Sequence, residues 1–488
     1  MDKKFIIRKF DDSDKQASCL NCKRKRINSM HLCARCFALR LLHVVNSGNK
    51  KIDHFIKKSQ SKNNSVRSSF LEWVPDKEFT NKEYIGEGGF SKIYKATWKK
   101  NKGRKSETKV VLKILNDSQN VDTEFLKELE HTFRFIIPQH YGKQIIKCFG
   151  VTQDPETKNY AFILEARDGD LHHFLCKNFE EFTWKKKIKC LCDVVKGIKE
   201  IHDKKIIHRD LHSGNILLNK FVDHSLLTFG YARQFYNYNY AIISDLGFSQ
   251  PATIDSNLSR KSQIYGVIPY MAPELFKNEP YSYASDIYSL GMIMWQMTSG
   301  HRPFHDREHG PKLILDILDG KRPEITADTP KKWADLMKKC WHADPSQRPT
   351  IQEIFNLSGE FRNIYYVSED KIEKYRPKQY KIWFGAEKKR LEMIKSKKSF
   401  VKNPGYEHPN SKYYSTSLNS MLESINSTIT DLSSNDHLLS SDNFDIMNIN
   451  PDSDSSVAVN SRKHELLEEK IVEYQGDFKR KRKRKRIA

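Results

Sequence analysis

The stretch IIHRDLHSGNILL, residues 206–218, decides how the rest of this chain is read. A polar loop sits between the apolar pair Ile206–Ile207 and the apolar run at Ile216, and it carries Asp210 and Asn215 five positions apart. Phosphoryl transfer needs a carboxylate to accept a hydroxyl proton and an oxygen ligand for Mg²⁺. Asp210 is therefore the candidate base and Asn215 the candidate metal ligand. Downstream, AIISDLGFS at 241–249 sets Asp245 after an apolar run and before a glycine, which suits a second Mg²⁺ ligand between the β- and γ-phosphates.

Upstream, YIGEGGFSKIYKA at 84–96 reads as strand, glycine-rich turn, strand. Gly86 and Gly88 let the backbone approach phosphate oxygens without a Cβ clash, and Gly89 adds flexibility. Phe90 would cap the phosphates, while Ile85 and Ile93 would close over a base. Glu87, Ser91 and Lys92 complete the candidate nucleotide cover. A plain hairpin is the alternative. The next strand, KVVLKIL at 109–115, embeds Lys113, which is costly unless paired. Glu128 lies fifteen residues on in TEFLKELEHTF, whose Phe125, Leu129 and Phe133 fall on one helical face. Glu128 is the expected partner; Glu124 and Glu130 read as solvent-facing charge. Lys113 would then hold the α- and β-phosphates.

Three later features join these. MAPEL at 271–275 can anchor the end of an activation segment. The apolar helix SDIYSLGMIMWQM at 285–297 carries Asp286, which either caps the backbone of the 206–218 loop or caps its own helix. CWHADPSQRPT at 340–350 offers Arg348 as a bidentate partner for Glu274.

With these motifs in this order, the chain resembles a eukaryotic protein kinase over about 280 residues. GEGGFSKIYKA, HRDLHSGNIL, YGVIPYMAPE, DIYSLGMIMWQM and CW…DPSQRPT look like the tyrosine-kinase-like group. LEWVPDKEF at 71–79, TQDPETKNYAFILE at 152–165 and HPNSKYYSTSLNSMLESINS at 408–427 look like its fungal expansion, in which a CxxC…CxxC module precedes the kinase. The resemblance implies an α+β bilobal fold. A β-rich small lobe would span 79–164 and a mainly helical large lobe 165–357, with Mg-ATP in the cleft. Glu165 and Ala166 would hold the adenine edge and Leu164 would guard the back pocket. Phosphorylation at Ser256, Ser259, Ser262 or Tyr265 would order the activation segment through Arg209.

The pattern also departs from the family. Ser91 replaces a third glycine, Val111 an alanine and Leu246 a phenylalanine. His212 stands where Ser/Thr kinases usually carry a lysine, and a histidine neutralises phosphate charge only in part at neutral pH. Val267 replaces a threonine near the base. GVIPYMAPE nevertheless favours Ser/Thr over Tyr. Asn215 and Asp245 are separated by 30 positions, about twice the family's usual span. The excess, near 219–240, is aromatic-rich. It reads as an extension at a strand–strand turn, where insertions are tolerated, or as a docking insertion. The alternative to an active kinase is a pseudokinase acting as a binding or scaffold module.

Outside residues 79–357 the readings are compositional. Cys19, Cys22, Cys33 and Cys36 form CxxC, ten residues, then CxxC, a spacing that can close a tetrahedral Zn²⁺ site in residues 1–50. Free thiols in a loose arm are the alternative. Residues 51–78 read as a short helix and a polar linker, and residues 358–488 as a mostly disordered tail. The stretch 403–462, dominated by Ser, Asn and Asp, is expected to be disordered; HELLEEKIVEY at 464–474 is one short helix candidate. No apolar run approaches the roughly 18 residues of a membrane span, and the start lacks a signal-peptide core. An intracellular chain, cytoplasmic or nuclear, follows as the expectation. The net charge of +23 and the basic run Lys479–Arg486 point to an import signal or a polyanion-binding tail. Protein substrates are the implied partners. The basic loop between the cysteine pairs would add a protein or nucleic-acid contact.

Overall fold

The computed structural model describes residues 45–61, 71–89, 91–100, 106–119, 144–219, 240–247, 249–251, 264–366 and 377–425. They belong to two compact units: residues 1–170 with 215–249, and residues 171–214 with 250–488.

The first unit is built on a six-stranded sheet in the order β1-β5-β6-β4-β3-β2. Its strands are β1 (Glu72–Trp73), β2 (Phe79–Glu87), β3 (Ser91–Lys100), β4 (Ser106–Leu115), β5 (Cys148–Gln153) and β6 (Tyr160–Glu165). Neighbours are antiparallel except β1 and β5. Alternation along the strands sends residues to two cores. Val110, Leu112, Ala96, Trp98 and Ile163 pack with Phe79 and Val74 in one. Leu115, Val151, Tyr160 and Phe162 pack with Ile52, Ile56 and Leu71 in the other.

Ile52 and Ile56 lie on α1 (Lys50–Ser61), one turn apart and fully buried. Asn49 caps this helix: its Oδ1 accepts the N–H groups of Lys51 and Ile52 at 2.9 and 3.3 Å. The short helix read in 51–78 is thus seated against the sheet by two isoleucines, although it is otherwise mostly polar. A smaller three-stranded sheet, β7 (Gly169–Asp170), β9 (Ile216–Leu218) and β10 (Ala241–Ile243), completes the unit.

The second unit is mainly helical. It contains α2 (Leu171–Asn178), α3 (Trp184–Asp203), α4 (Pro273–Phe276), α5 (Tyr283–Ser299), α6 (Pro311–Leu318), α7 (Lys331–Cys340), α8 (Ile351–Tyr366) and α9 (Pro377–Lys395). Two-residue strands β8 (Ile206–Ile207) and β11 (Gln250–Pro251) pair, as do β12 (Tyr265–Gly266) and β13 (Thr416–Ser417). Buried α5 begins in a Ser282/Ser285 capping box and ends at Gly300 with φ 77°.

The expectation of disorder fails for 403–425, and α9 before it is docked as well. Trp383 of α9 meets Trp184 and Phe361 edge-on, with centroids 5.9 and 5.0 Å away. Glu387 accepts the N–H of Trp184 at the start of α3 at 2.8 Å, and buried Arg390 donates to the Glu180 carbonyl at 2.8 Å. Further on, Leu418, Leu422 and Ile425 are buried. The polar composition was real, but a few anchors at helical spacing supply the apolar burial that orders the segment. The cysteine quartet, Glu128, Phe90, most of the 219–240 extension, Ser256, Ser259, Ser262, residues 426–462 and the basic run lie outside the described residues.

Replacing Trp383 with alanine is expected to destabilise the chain by about 3–5 kcal/mol, read from its urea midpoint.

Candidate active site

In the sheet unit, the cover loop hangs on the β2–β3 hairpin. Register pairs Glu87 with Lys92 and Gly86 with Ile93, and the Gly88 N–H donates to the Ser91 carbonyl at 2.8 Å. Among the described residues, chain neighbours aside, no atom lies within 4 Å of where a Cβ on Gly86 or Gly88 would stand. Internal packing therefore does not require glycine there, and the open space is of the kind a phosphate-binding loop needs. Ile85, which would cover a base, is 44% exposed.

Lys113 stands in β4 between Ile93 of β3 and Phe162 of β6. It is buried, and its Nζ lies 2.7 Å from Asp245 Oδ1. Two residues away along β4, Val111 is opposite Leu164 of β6, so the residues read as pocket wall and pocket guard are cross-strand partners. The Glu165 N–H donates to the Lys147 carbonyl at 2.9 Å, and its carboxylate pairs with Arg167 at 2.8 Å. That N–H is committed to the fold, so an adenine edge would have to use other backbone groups here.

Asp245 follows β10 with φ 58°, in the left-handed region that non-glycine residues seldom occupy. The turn is held by the Gly247 N–H, which donates to Asp245 Oδ1 at 3.2 Å. Leu246 next to it is buried. Ser244 ties this turn to Asn215: its N–H and hydroxyl both donate to the Asn215 carbonyl, at 2.9 and 3.1 Å. The two oxygen-bearing side chains proposed as Mg²⁺ ligands thus belong to hydrogen-bonded neighbouring segments of one unit. Magnesium is commonly held by one or two protein oxygens plus phosphates and waters, so this donor set fits it without a larger carboxylate cluster.

In the helical unit, the loop with Asp210 is fastened by Asp286. The Asp286 carboxylate accepts the N–H groups of His208 at 2.9 Å and Arg209 at 3.0 Å, and it meets His202 Nε2 at 2.9 Å. The helix's own cap is Ser282. Of the two readings for Asp286, the structure supports the loop anchor. Arg209 has φ 72°, and its guanidinium lies 4.1 Å from the Tyr281 ring centroid. Burial lowers its pKa. The Glu274–Arg348 pair is bidentate as expected, at 2.6 and 2.7 Å.

Asp210 is buried, which alone would raise its pKa; the field of His212 and hydrogen bonds from His212 and Ser415 outweigh this and hold it below the ordinary value. It is therefore ionised at neutral pH and able to accept a proton. His212 Nε2 lies 3.7 Å from Asp210 Oδ2, while the Gly214 N–H donates to Nδ1 at 3.2 Å. Nδ1 thus faces a backbone donor while Nε2 faces Asp210. His212 here supports the base electrostatically rather than replacing a lysine's full charge. Val267 is buried, and Tyr270 nearby donates its hydroxyl to Gln296 at 2.5 Å.

One participant was not anticipated. The hydroxyl of Ser415, from the segment expected to be disordered, lies 2.8 and 2.7 Å from the two carboxylate oxygens of Asp210. The signal that could have found this segment is the 4-then-3 spacing of Leu418, Leu422 and Ile425.

Residues 79–357 match the family described as protein tyrosine and serine/threonine kinase. Among similar proteins are a putative serine/threonine-protein kinase/receptor of Acanthamoeba polyphaga mimivirus, 28% identical over 57% of this chain and 15% of its own length. The Arabidopsis thaliana serine/threonine-protein kinase STY17 is 25% identical over 59% of this chain and 46% of its own. The dual specificity protein kinase splA of Dictyostelium discoideum is 29% identical over 59% of this chain and 12% of its own. The chain thus spans less than half the length of each of these relatives.

Asp286→Asn removes the charge and turns an amide N–H₂ towards a backbone donor. It is expected to destabilise the chain by about 2 kcal/mol in urea unfolding. Loosening the Asp210 loop by a similar energy is expected to lower phosphoryl transfer by about tenfold or more.

Proposed function

This chain belongs to the protein tyrosine and serine/threonine kinase family, and from that premise we propose that it transfers the γ-phosphoryl group of ATP to serine or threonine hydroxyls of proteins. The observation that carries the reading is Asp210: a buried, ionised carboxylate on a loop fixed by Asp286, with an alcohol hydroxyl held against it at 2.7 Å. That is the arrangement a general base needs for a hydroxyl nucleophile.

Each residue has a role in this proposal. Asp210 accepts the hydroxyl proton. Lys113 orients the α- and β-phosphates, and its pairing with Asp245 keeps its buried charge compensated. Asn215 and Asp245 hold magnesium. When bound, magnesium neutralises charge on the phosphate oxygens. The glycine turn at 86–89 covers the phosphates, with backbone N–H groups as donors. Glu128 is the proposed second partner of Lys113. Serine and threonine are favoured over tyrosine by the serine/threonine-protein kinase names of similar proteins; the dual specificity name of one keeps tyrosine as the second reading.

The test uses the purified full chain with Mg²⁺, labelled ATP and casein. Asp210→Asn is expected to cut transfer by about 10²–10⁴-fold, the usual contribution of a general base. Chelation with EDTA is expected to abolish transfer. Phosphoamino-acid analysis should show phosphoserine or phosphothreonine. Equal, negligible transfer by wild type and Asp210→Asn would leave the pseudokinase reading in place.

We also propose that Cys19, Cys22, Cys33 and Cys36 bind one zinc ion, a reading supported by their paired spacing alone. Metal analysis of the dialysed full chain is expected to give one equivalent of zinc, lost in Cys19→Ser/Cys22→Ser. A metal-free wild-type chain would defeat it.

A further inference from the structure

The segment 405–425 lies along the helical unit through a series of side-chain and backbone contacts. His408 donates its N–H to the His305 carbonyl at 2.9 Å, and the His309 N–H donates to the Asn410 carbonyl at 3.3 Å. The Lys412 N–H donates to His309 Nδ1 at 3.0 Å. Tyr413 donates its hydroxyl to the Pro303 carbonyl at 2.8 Å, and the Arg302 guanidinium lies 3.7 Å from its ring centroid. Arg302 also pairs with Glu407.

Past this clamp the chain becomes a strand. Thr416 and Ser417 pair antiparallel with Gly266 and Tyr265. The Leu418 N–H donates to the Ile264 carbonyl at 2.8 Å, and the Ile264 N–H donates to Asn419 Oδ1 at the same distance. Leu418, Leu422 and Ile425 then anchor the end. Ser415 is thus fixed from both sides, between the Tyr413 clamp and the β13 ladder. Its neighbour Tyr414 is 51% exposed, and the Tyr413 hydroxyl is spent on Pro303. Ser415 is the hydroxyl in this run that the backbone delivers to both oxygens of Asp210.

We propose that Ser415 is a phosphorylation site of this chain, modified in cis by its own Asp210. The inference rests on the kinase reading above. In the step, Ser415 Oγ forms a bond to the γ-phosphorus of ATP. The bond from that phosphorus to the β,γ-bridging oxygen breaks, and ADP leaves with the electron pair. The hydroxyl proton passes to the Asp210 carboxylate. Holding the nucleophile on the base makes the reaction unimolecular in protein. The product carries about −1.5 to −2 charge at the position of the former hydroxyl, where the Asp210 carboxylate repels it. Modification therefore works against the contact that enabled it, and the phosphorylated segment is expelled from the base. Before modification, the segment occupies the place a protein substrate's hydroxyl would take.

The experiment incubates dephosphorylated full chain with Mg²⁺ and ATP, with casein present as an independent acceptor, and follows Ser415 by mass spectrometry. Ser415 is expected to reach near-stoichiometric phosphate with a first-order rate constant unchanged over about a hundredfold dilution, as an intramolecular reaction requires. Casein labelling is expected to accelerate as Ser415 fills. Asp210→Asn chain mixed with wild type is expected to stay unmodified at Ser415. Casein labelling with Ser415 unmodified would overturn this inference while leaving the kinase reading standing. Labelling of Ser415 on the Asp210→Asn chain as fast as on wild type, or an observed first-order rate constant that rises in proportion to protein concentration, would overturn its cis character. No label on casein or Ser415 would overturn the kinase reading and this inference with it.

Discussion

The Asp286 carboxylate accepts the backbone N–H groups of His208 and Arg209 and meets the imidazole of His202, all within the buried interior of the helical unit. Arg209 sits at φ 72°, a conformation that costs of order 1–3 kcal/mol and persists only when its surroundings over-determine it. Asp286 supplies that determination from a helix capped by a serine box and buried along almost its whole length. The position of Asp210 depends on this anchor, and so does everything that contacts Asp210. The buried Glu274 carboxylate is compensated in a similar way. Glu274 is forked by Arg348, which also donates to the carbonyls of His342, Ala343 and Ala284.

His212 shows how a departure from the family pattern can be absorbed. A lysine would bring a mobile positive charge. The imidazole is instead tied back to its own loop by the Gly214 N–H and directed at Asp210. Its field and hydrogen bond help hold the Asp210 carboxyl below its ordinary pKa. The substitution shifts the distribution of charge in the site without removing the base.

Much of the candidate site was legible in the sequence because it is written in short-range spacing. The Asp210–Asn215 interval, the glycine turn, the lysine in an apolar strand and the aspartate before a glycine are each local patterns with a local physical reason. The Glu274–Arg348 pair is expected from the sequence, and the loop-anchoring role of Asp286 is one of its two readings, whereas the cross-strand partnership of Val111 with Leu164 is seen only in the fold. The segment 403–425 was misread because composition reports an average. Its Ser, Asn and Asp content suggests a solvated chain, while Leu418, Leu422 and Ile425 are buried, and Tyr413 and Leu418 bond Pro303 and Ile264, more than a hundred positions away.

By itself, the sequence determined the family and the candidate inventory: a candidate base, candidate metal-ligating oxygens, a lysine embedded in an apolar strand and a glycine-rich turn, each picked out by residue type and spacing. Only the tertiary structure decided what stands against that base. The Ser415–Asp210 contact joins residues 205 positions apart, and no local pattern encodes such a pairing. It exists because the Tyr413 clamp and the β13 ladder, both made with distant parts of the fold, leave one hydroxyl between them at hydrogen-bonding distance from the carboxylate.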